Sequence, residues 1–151
     1  PNPLPTTTWP GNNPEDTMQS ARYVRLYTDS RGETHFEDLE MPMTHQEFAP
    51  VNIPLNMANF LPVSTSFWLG APGEWEGDVP RPALKRQIFC TVEGEYQITA
   101  SDGDVRCFPA GSVLFIDDTH GKGHLTSITN KKGALVFAVS IAEERAGNNN
   151  I

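Results

Sequence analysis

Two cysteines, four histidines and eleven lysines and arginines are few for 151 residues, and each scarcity removes a class of protein. Cys90 and Cys107 lie in strand-like segments without a CxxC pair. Two cysteines make no disulfide framework, and the expected state is free thiols acting as small core side chains in a reducing compartment, a single chance disulfide being the alternative. Neither has a neighbouring His in sequence to activate it. Eleven cations against nineteen acids leave a net charge of −8, so phosphate neutralisation is undersupplied and nucleic acid is not an expected partner. No apolar run approaches the ~20 residues of a membrane span, and no charged-then-apolar leader opens the sequence, so no membrane partner and a cytoplasmic location are expected. Helical periodicity over ten or more residues is also missing.

What the chain does have is strand character divided by glycine. In "RQIFCTVEGEYQITASDGDVRCFPAGSVLFIDDTHGKGH", residues 86–124, four short apolar segments alternate with turns at Glu93–Gly94, "SDGD" and "PAG". "RYVRLYTD" and "ETHFEDLEMPM", joined by "DSRG", read as two more strands, "VSTSFWLG" as another, and the buried run "ALVFAVSI" as the last. The expected organisation is a flexible arm at 1–20, one domain at 21–142 and a patternless tail at 143–151. An all-β antiparallel sandwich or jelly-roll barrel follows from these short strands. The proline-bearing segment from Thr44 to Pro62 is expected to run as a loop, a lid whose Phe48, Ile53, Leu55, Met57 and Phe60 pack on the barrel.

The spacing of Gln87, Gly94, "DG", "PAGSVLFID" and a His-bearing turn resembles a small single-domain cupin, over roughly residues 64–141. The resemblance implies a jelly roll with its site inside. In that family two His and a Glu usually open the first motif; here Arg81, Ala83 and Gln87 stand at those positions, and "DDTHGKGH" offers His124 or His120 for the second. A divalent transition metal wants three or four converging imidazole or carboxylate ligands. The expectation is therefore no cofactor, the alternative being one divalent metal held by Gln87 and His124, with Asp117, Asp118 or His35 completing the set.

Without a metal, the candidate catalytic residues are His124, Arg81 and Gln87. His124 carries an imidazole, the side chain most often used to move protons, and is presented by "GKG"; a satisfied turn histidine is its plainer alternative. On this reading, His124→Ala costs turnover and leaves stability alone. Arg81 is either a fork donor for an anionic group or a rim charge paired with Glu76 or Asp78. Gln87 is expected to face inward with Phe89 and Thr91. Phe48, Met57, Phe60, Phe67, Trp75, Phe89, Thr91, Phe115 and Asp118 are the candidate pocket. His120 is expected to be solvated, and His35 and His45 have no assigned role. Function is expected to be acid–base isomerisation, cyclisation, dehydration or decarboxylation of a hydrophobic small molecule, possible substrates including polyketide-type ones. The alternatives are a non-catalytic binding module and a metal-dependent oxygenase. A homodimer is expected, through the first two strands.

Overall fold

The computed structural model describes residues 19–48 and 51–143; the side chains of 46–48 and 51–54 lie outside that description. The expected arm, apart from Gln19 and Ser20, and the tail beyond Glu143 also lie outside it. Ten strands are described: β1 (Ser20–Thr28), β2 (Thr34–Pro42), β3 (Thr44–Phe48), β4 (Val51–Met57), β5 (Val63–Ala71), β6 (Gln87–Ala100), β7 (Val105–Pro109), β8 (Val113–Asp117), β9 (His124–Ser127) and β10 (Ala134–Ile141). Among the described residues there is no helix long and apolar enough to cross a membrane.

The main sheet runs β2-β1-β8-β6-β10-β5. All its pairings are antiparallel except β1 with β8, which is parallel, with Val24 opposite Leu114 and Tyr27 opposite Asp117. β7 and β9 flank the second half of β6. Two sequence expectations change here. Residues 87–100 form one strand, not two joined by a turn: the backbone of Gly94 at φ 70° and a register shift opposite Leu135/Val136 bend β6 from the main sheet into the smaller layer. A Cβ at Gly94 would stand 2.0 Å from the Gly133 carbonyl oxygen, so the corner requires glycine. Segment 44–62 is not a loop either, because β3 and β4 pair with each other as a separate ribbon. Pro54 is tolerated within β4 because a two-stranded ribbon leaves outward backbone N–H groups without ladder partners anyway.

Strand alternation sorts the side chains of the main sheet. The core between the layers contains Val24, Leu26, Leu114, Ile116, Val136 and Ala138 from the main sheet, facing Tyr96, Ile98, Ala100 and Phe108 from the other. The opposite face is apolar as well: Ile88, Phe115 and Ile141 are buried there with Tyr23, Leu61 and Cys90 packed against them. Cys90 and Cys107 are both free, and burial pushes both thiols up, keeping them neutral.

His35, on β2, lies between two carboxylates: Nε2 is 2.7 Å from Asp29 and Nδ1 2.9 Å from Asp102. The hydrogen bond to Asp29, then that to Asp102, raises its pKa above 6.5, and the bond from His35 together with the backbone N–H groups of Glu33 and Arg31 holds Asp29 at about 2. A raised histidine contributes stability that is whole below its unfolded pKa and fades as pH rises through its folded one; a depressed carboxylate contributes above its unfolded value and fails as pH falls through its folded one. The melting temperature is thus expected to be higher near pH ~5.5 than near pH ~8.5, by only about a degree or two because these groups are largely solvated. Thermal scans at both values test this: the difference shrinks in His35→Gln, and an undiminished difference would discard the assignment.

Candidate functional site

The loop between β8 and β9 folds back on itself through Gly121 at φ 82° and Gly123 at φ 74°. That reversal brings Asp118 and His124 together. His124 Nδ1 lies 2.5 Å from Asp118 Oδ2, with the imidazole 12% and the carboxylate 0% exposed. With Asp118 ionised its oxygens can only accept, so Nδ1 carries the proton and Nε2 presents its lone pair. Nε2 has no partner among the described residues, and His124 lines a cavity of about 680 Å³. Asp118 Oδ1 is buried with no hydrogen-bond partner among the described residues. The pairing has the form of a base oriented by a carboxylate.

The turn between β1 and β2 holds this loop in place. Lys122 N–H donates to the Gly32 carbonyl at 2.8 Å, Thr28 Oγ1 donates to the His120 carbonyl at 2.9 Å, and buried Thr34 Oγ1 donates to the Gly123 carbonyl at 2.8 Å. Thr34 Oγ1 also accepts from the Ser101 backbone N–H at 2.6 Å. On the other side, His124 and Arg81 exchange both backbone hydrogen bonds at 3.0 Å each. The strap from Glu76 to Arg81 therefore runs beside β9 as an extra edge of the smaller layer.

Arg81, Ala83, Gln87 and His124 all line the same cavity, which gathers the four motif positions read from the sequence. Gln87 faces inward on β6 as expected, in line with Phe89 and Thr91. Arg81 Nη2 is 3.3 Å from Asp78 with side chains 68% and 77% exposed, a pairing that a bound anion could replace at little cost. Trp75 and Phe89 line the cavity as well. Neighbouring Glu74 has φ 61°, left-handed backbone that a non-glycine residue holds only under constraint, and its N–H donates to the Asn130 carbonyl.

Other expected pocket residues are elsewhere. Phe115 is on the outer face under the Arg86 guanidinium and beside Phe60, which itself packs on Tyr23. Met57 borders a separate depression with Glu40, Pro42 and Thr44. Phe67 packs on the core, and Thr91 is buried, its hydroxyl donating to the Phe108 carbonyl at 3.2 Å. The Phe48 side chain lies outside the described residues. Asp118 stands behind His124 rather than on the cavity wall. Asp117 is committed on the outer face to Arg25 and Arg86. Exposed His120 contributes its carbonyl alone, and exposed His45 lies on β3 opposite Asn56. Sequence reading missed Thr34 and the partnership of Asp118 with His124; a carboxylate six residues before a histidine, across a glycine-rich reversal, was the available signal.

A transition metal does not fit these residues. The cavity wall offers one imidazole whose Nδ1 is taken, the neutral amide of Gln87, the Arg81 cation and the carboxylates of Glu76 and Asp78, the latter paired with Arg81. Among the described residues no three His, Cys, Asp or Glu side chains converge as a ligand set.

No family model matches the chain. No curated protein matches it. Among solved structures it is similar to the Schizosaccharomyces pombe Cnp3 cupin domain, at 14% identity and a TM-score of 0.44 over 71% of this chain and 74% of that one. The all-β architecture, with β6 shared between two layers and the cavity on its inner face, is consistent with a cupin jelly roll.

Proposed function

We propose that this chain is a metal-independent acid–base enzyme acting on a small, largely apolar carbonyl compound, with His124 as the proton carrier. The observation that carries the reading is the buried Asp118 carboxylate bound to His124 Nδ1, which leaves Nε2 without a partner among the described residues, on a residue that lines a cavity of about 680 Å³. Isomerisation, cyclisation, dehydration and decarboxylation of such a compound share one step, removal or delivery of a proton beside a carbonyl. A tautomer-fixed imidazole can perform it. Arg81 and Gln87 are the positioning groups for the oxygen that becomes negative: Arg81 offers charge once it leaves Asp78, and Gln87 an N–H.

The test uses that shared step. The wild-type protein, incubated in deuterated buffer with α-tetralone, should incorporate deuterium at the carbon beside the carbonyl faster than buffer or a boiled sample does, read by mass spectrometry. Saturable binding of the ketone without exchange would transfer the assignment to a non-catalytic binding module. Protein purified without chelators is expected to hold less than one equivalent of zinc, iron, manganese or nickel, and chelation is expected to leave exchange intact. Stoichiometric metal with chelator-sensitive exchange would overturn the metal-independent reading.

We also propose a homodimer. Among the described residues the β3–β4 ribbon pairs with no other strand, and Trp68, 60% exposed, and Val63 are left exposed on the outer face of the main sheet. Light scattering at micromolar concentration should give twice the chain mass; the mass of one chain would rule it out.

A further inference from the structure

Beside the main cavity lies a second, of about 330 Å³, walled by residues of β5, β6 and β10 and by Trp75 and Ile128. Trp75, Phe89 and Thr126 belong to both walls, so the two spaces adjoin. Small side chains leave this corner unfilled. Ala71 and Ala134 are cross-strand partners packed on the core, in the row where the pairs Leu69–Val136 and Phe67–Ala138 come next. The strap that carries Trp75 is held in place over the corner by three backbone bonds: Glu74 N–H donates to the Asn130 carbonyl at 2.9 Å, Ile128 N–H to the Trp75 carbonyl at 2.7 Å and Gly77 N–H to the Thr126 carbonyl at 2.9 Å. The left-handed backbone of Glu74 is the strain these bonds sustain, so the space is preformed. It is also accessible, since Leu69 and Trp75 on its wall are both exposed.

The two spaces differ in chemistry. His124, Gln87 and Arg81 line the main cavity alone, whereas the second is bounded by aliphatic and aromatic side chains, with Thr126 on the shared wall and the Tyr96 hydroxyl engaged with the Thr91 side chain. Apolar cavities of ~150 Å³ take up benzene, so this one has room for an arm of about six carbons. A ligand whose polar end is held in the main cavity removes most apolar surface from water when its apolar end passes Trp75 and Phe89 into the neighbouring space. We infer that the second cavity is a subsite for an apolar arm of the ligand, with Leu69 as a specificity residue, so that the substrate class is a ketone carrying an alkyl or aryl arm of that size. This deepens the acid–base reading and rests on it for the carbonyl end alone.

The probes are acetophenone and hexanophenone, which share the phenyl ketone and differ only in the length of the arm. Titration calorimetry of the wild-type protein is expected to favour hexanophenone by about 20-fold or more, each buried methylene being worth about fourfold before the cost of fixing its torsion. Leu69→Trp, which fills the second cavity from an exposed position, is expected to remove that preference and to leave acetophenone binding unchanged; Ala71→Val, a smaller filling from the same inner row, acts in the same direction. In wild-type protein labelled at its leucine methyls, the chain end of bound hexanophenone should give nuclear Overhauser contacts to Leu69. Contacts to Leu84 instead, at the exposed rim of the main cavity, would overturn the inference. So would a preference that survives in both variants, or no binding of hexanophenone at its solubility limit. Unchanged binding with a changed mass of Leu69→Trp by light scattering would also overturn it, by assigning the space to contact with a second copy of the chain. A chain-length preference that depends on Leu69, without deuterium exchange, would sink the acid–base reading and leave this one standing. Exchange without that preference would do the reverse.

Discussion

His124→Asn is expected to lower deuterium exchange by ~100-fold or more, the usual loss for a general acid or base, while keeping the wild-type melting temperature. His124→Ala is expected to lower both. The sequence alone suggested that alanine would spare stability, and the structure reverses that expectation through Asp118. This carboxylate is fully buried, its Oδ1 has no partner among the described residues, and its Oδ2 rests on His124 Nδ1. Alanine strands a buried charge, a loss of about 3–5 kcal/mol where such pairs are broken. Asparagine places an N–H near the position of Nδ1–H but has no group that takes up a proton near neutrality. The comparison separates the two roles of the side chain. Exchange at the wild-type rate in a folded His124→Asn protein would remove His124 from the chemistry.

Gly123→Ala is expected to destabilise the protein by ~3 kcal/mol or more, the sum of left-handed strain and backbone overlap, and thus to lower the melting temperature by about 6–12 °C. A Cβ at this position would lie 2.1 Å from the Arg81 carbonyl carbon and 2.2 Å from the Pro82 nitrogen, with φ at +74°. Relief requires the strap to leave β9, which breaks the paired Arg81–His124 backbone bonds and turns the imidazole away from its cavity. Exchange should therefore fall together with stability. Gly103→Ala is the control, since its φ is +93° and nothing lies within 4 Å of the added carbon. It should cost only the strain of ~1–2 kcal/mol. Equal losses in the two variants would show that crowding against Arg81 is unimportant.

Much of this architecture was legible in local pattern. The run "ALVFAVSI" coincides with β10, and the glycines of "DSRG", "SDGD", "PAG" and "KKG" fall between strands. Arg81, Ala83, Gln87 and His124 could be gathered because motif spacing counts residues along strands that do lie side by side. Phe115 was misplaced for a physical reason. Both faces of β8 are apolar, Leu114 and Ile116 on one and Val113 and Phe115 on the other, so period-two alternation identifies a strand without saying which side is inside. The ribbon of β3 and β4 was hidden by its prolines, which argue against a central strand and not against a ribbon. Thr34 could not be found at all: its partner carbonyl at Gly123 is 89 residues away, and a threonine in a strand carries no mark of such a contact.

The parallel pairing of β1 with β8 also fixes a timetable. Arg25 and its partner Asp117 are 92 residues apart, so on a ribosome adding ~5–20 residues per second the first hairpin waits roughly five to twenty seconds for the strand that completes it. Through that interval Val24 and Leu26, fully covered in the finished molecule, have no neighbouring strand on the β8 side. The charges beside them, Arg25 on β1 with its register partner Glu37 on β2 and Asp38 opposite Val24, are then more than partners in ion pairs. Charges on an unpaired edge disfavour its pairing with other unfinished chains, so a variant that neutralised them is expected to yield less intact protein in a cell even with the purified molecule no less stable.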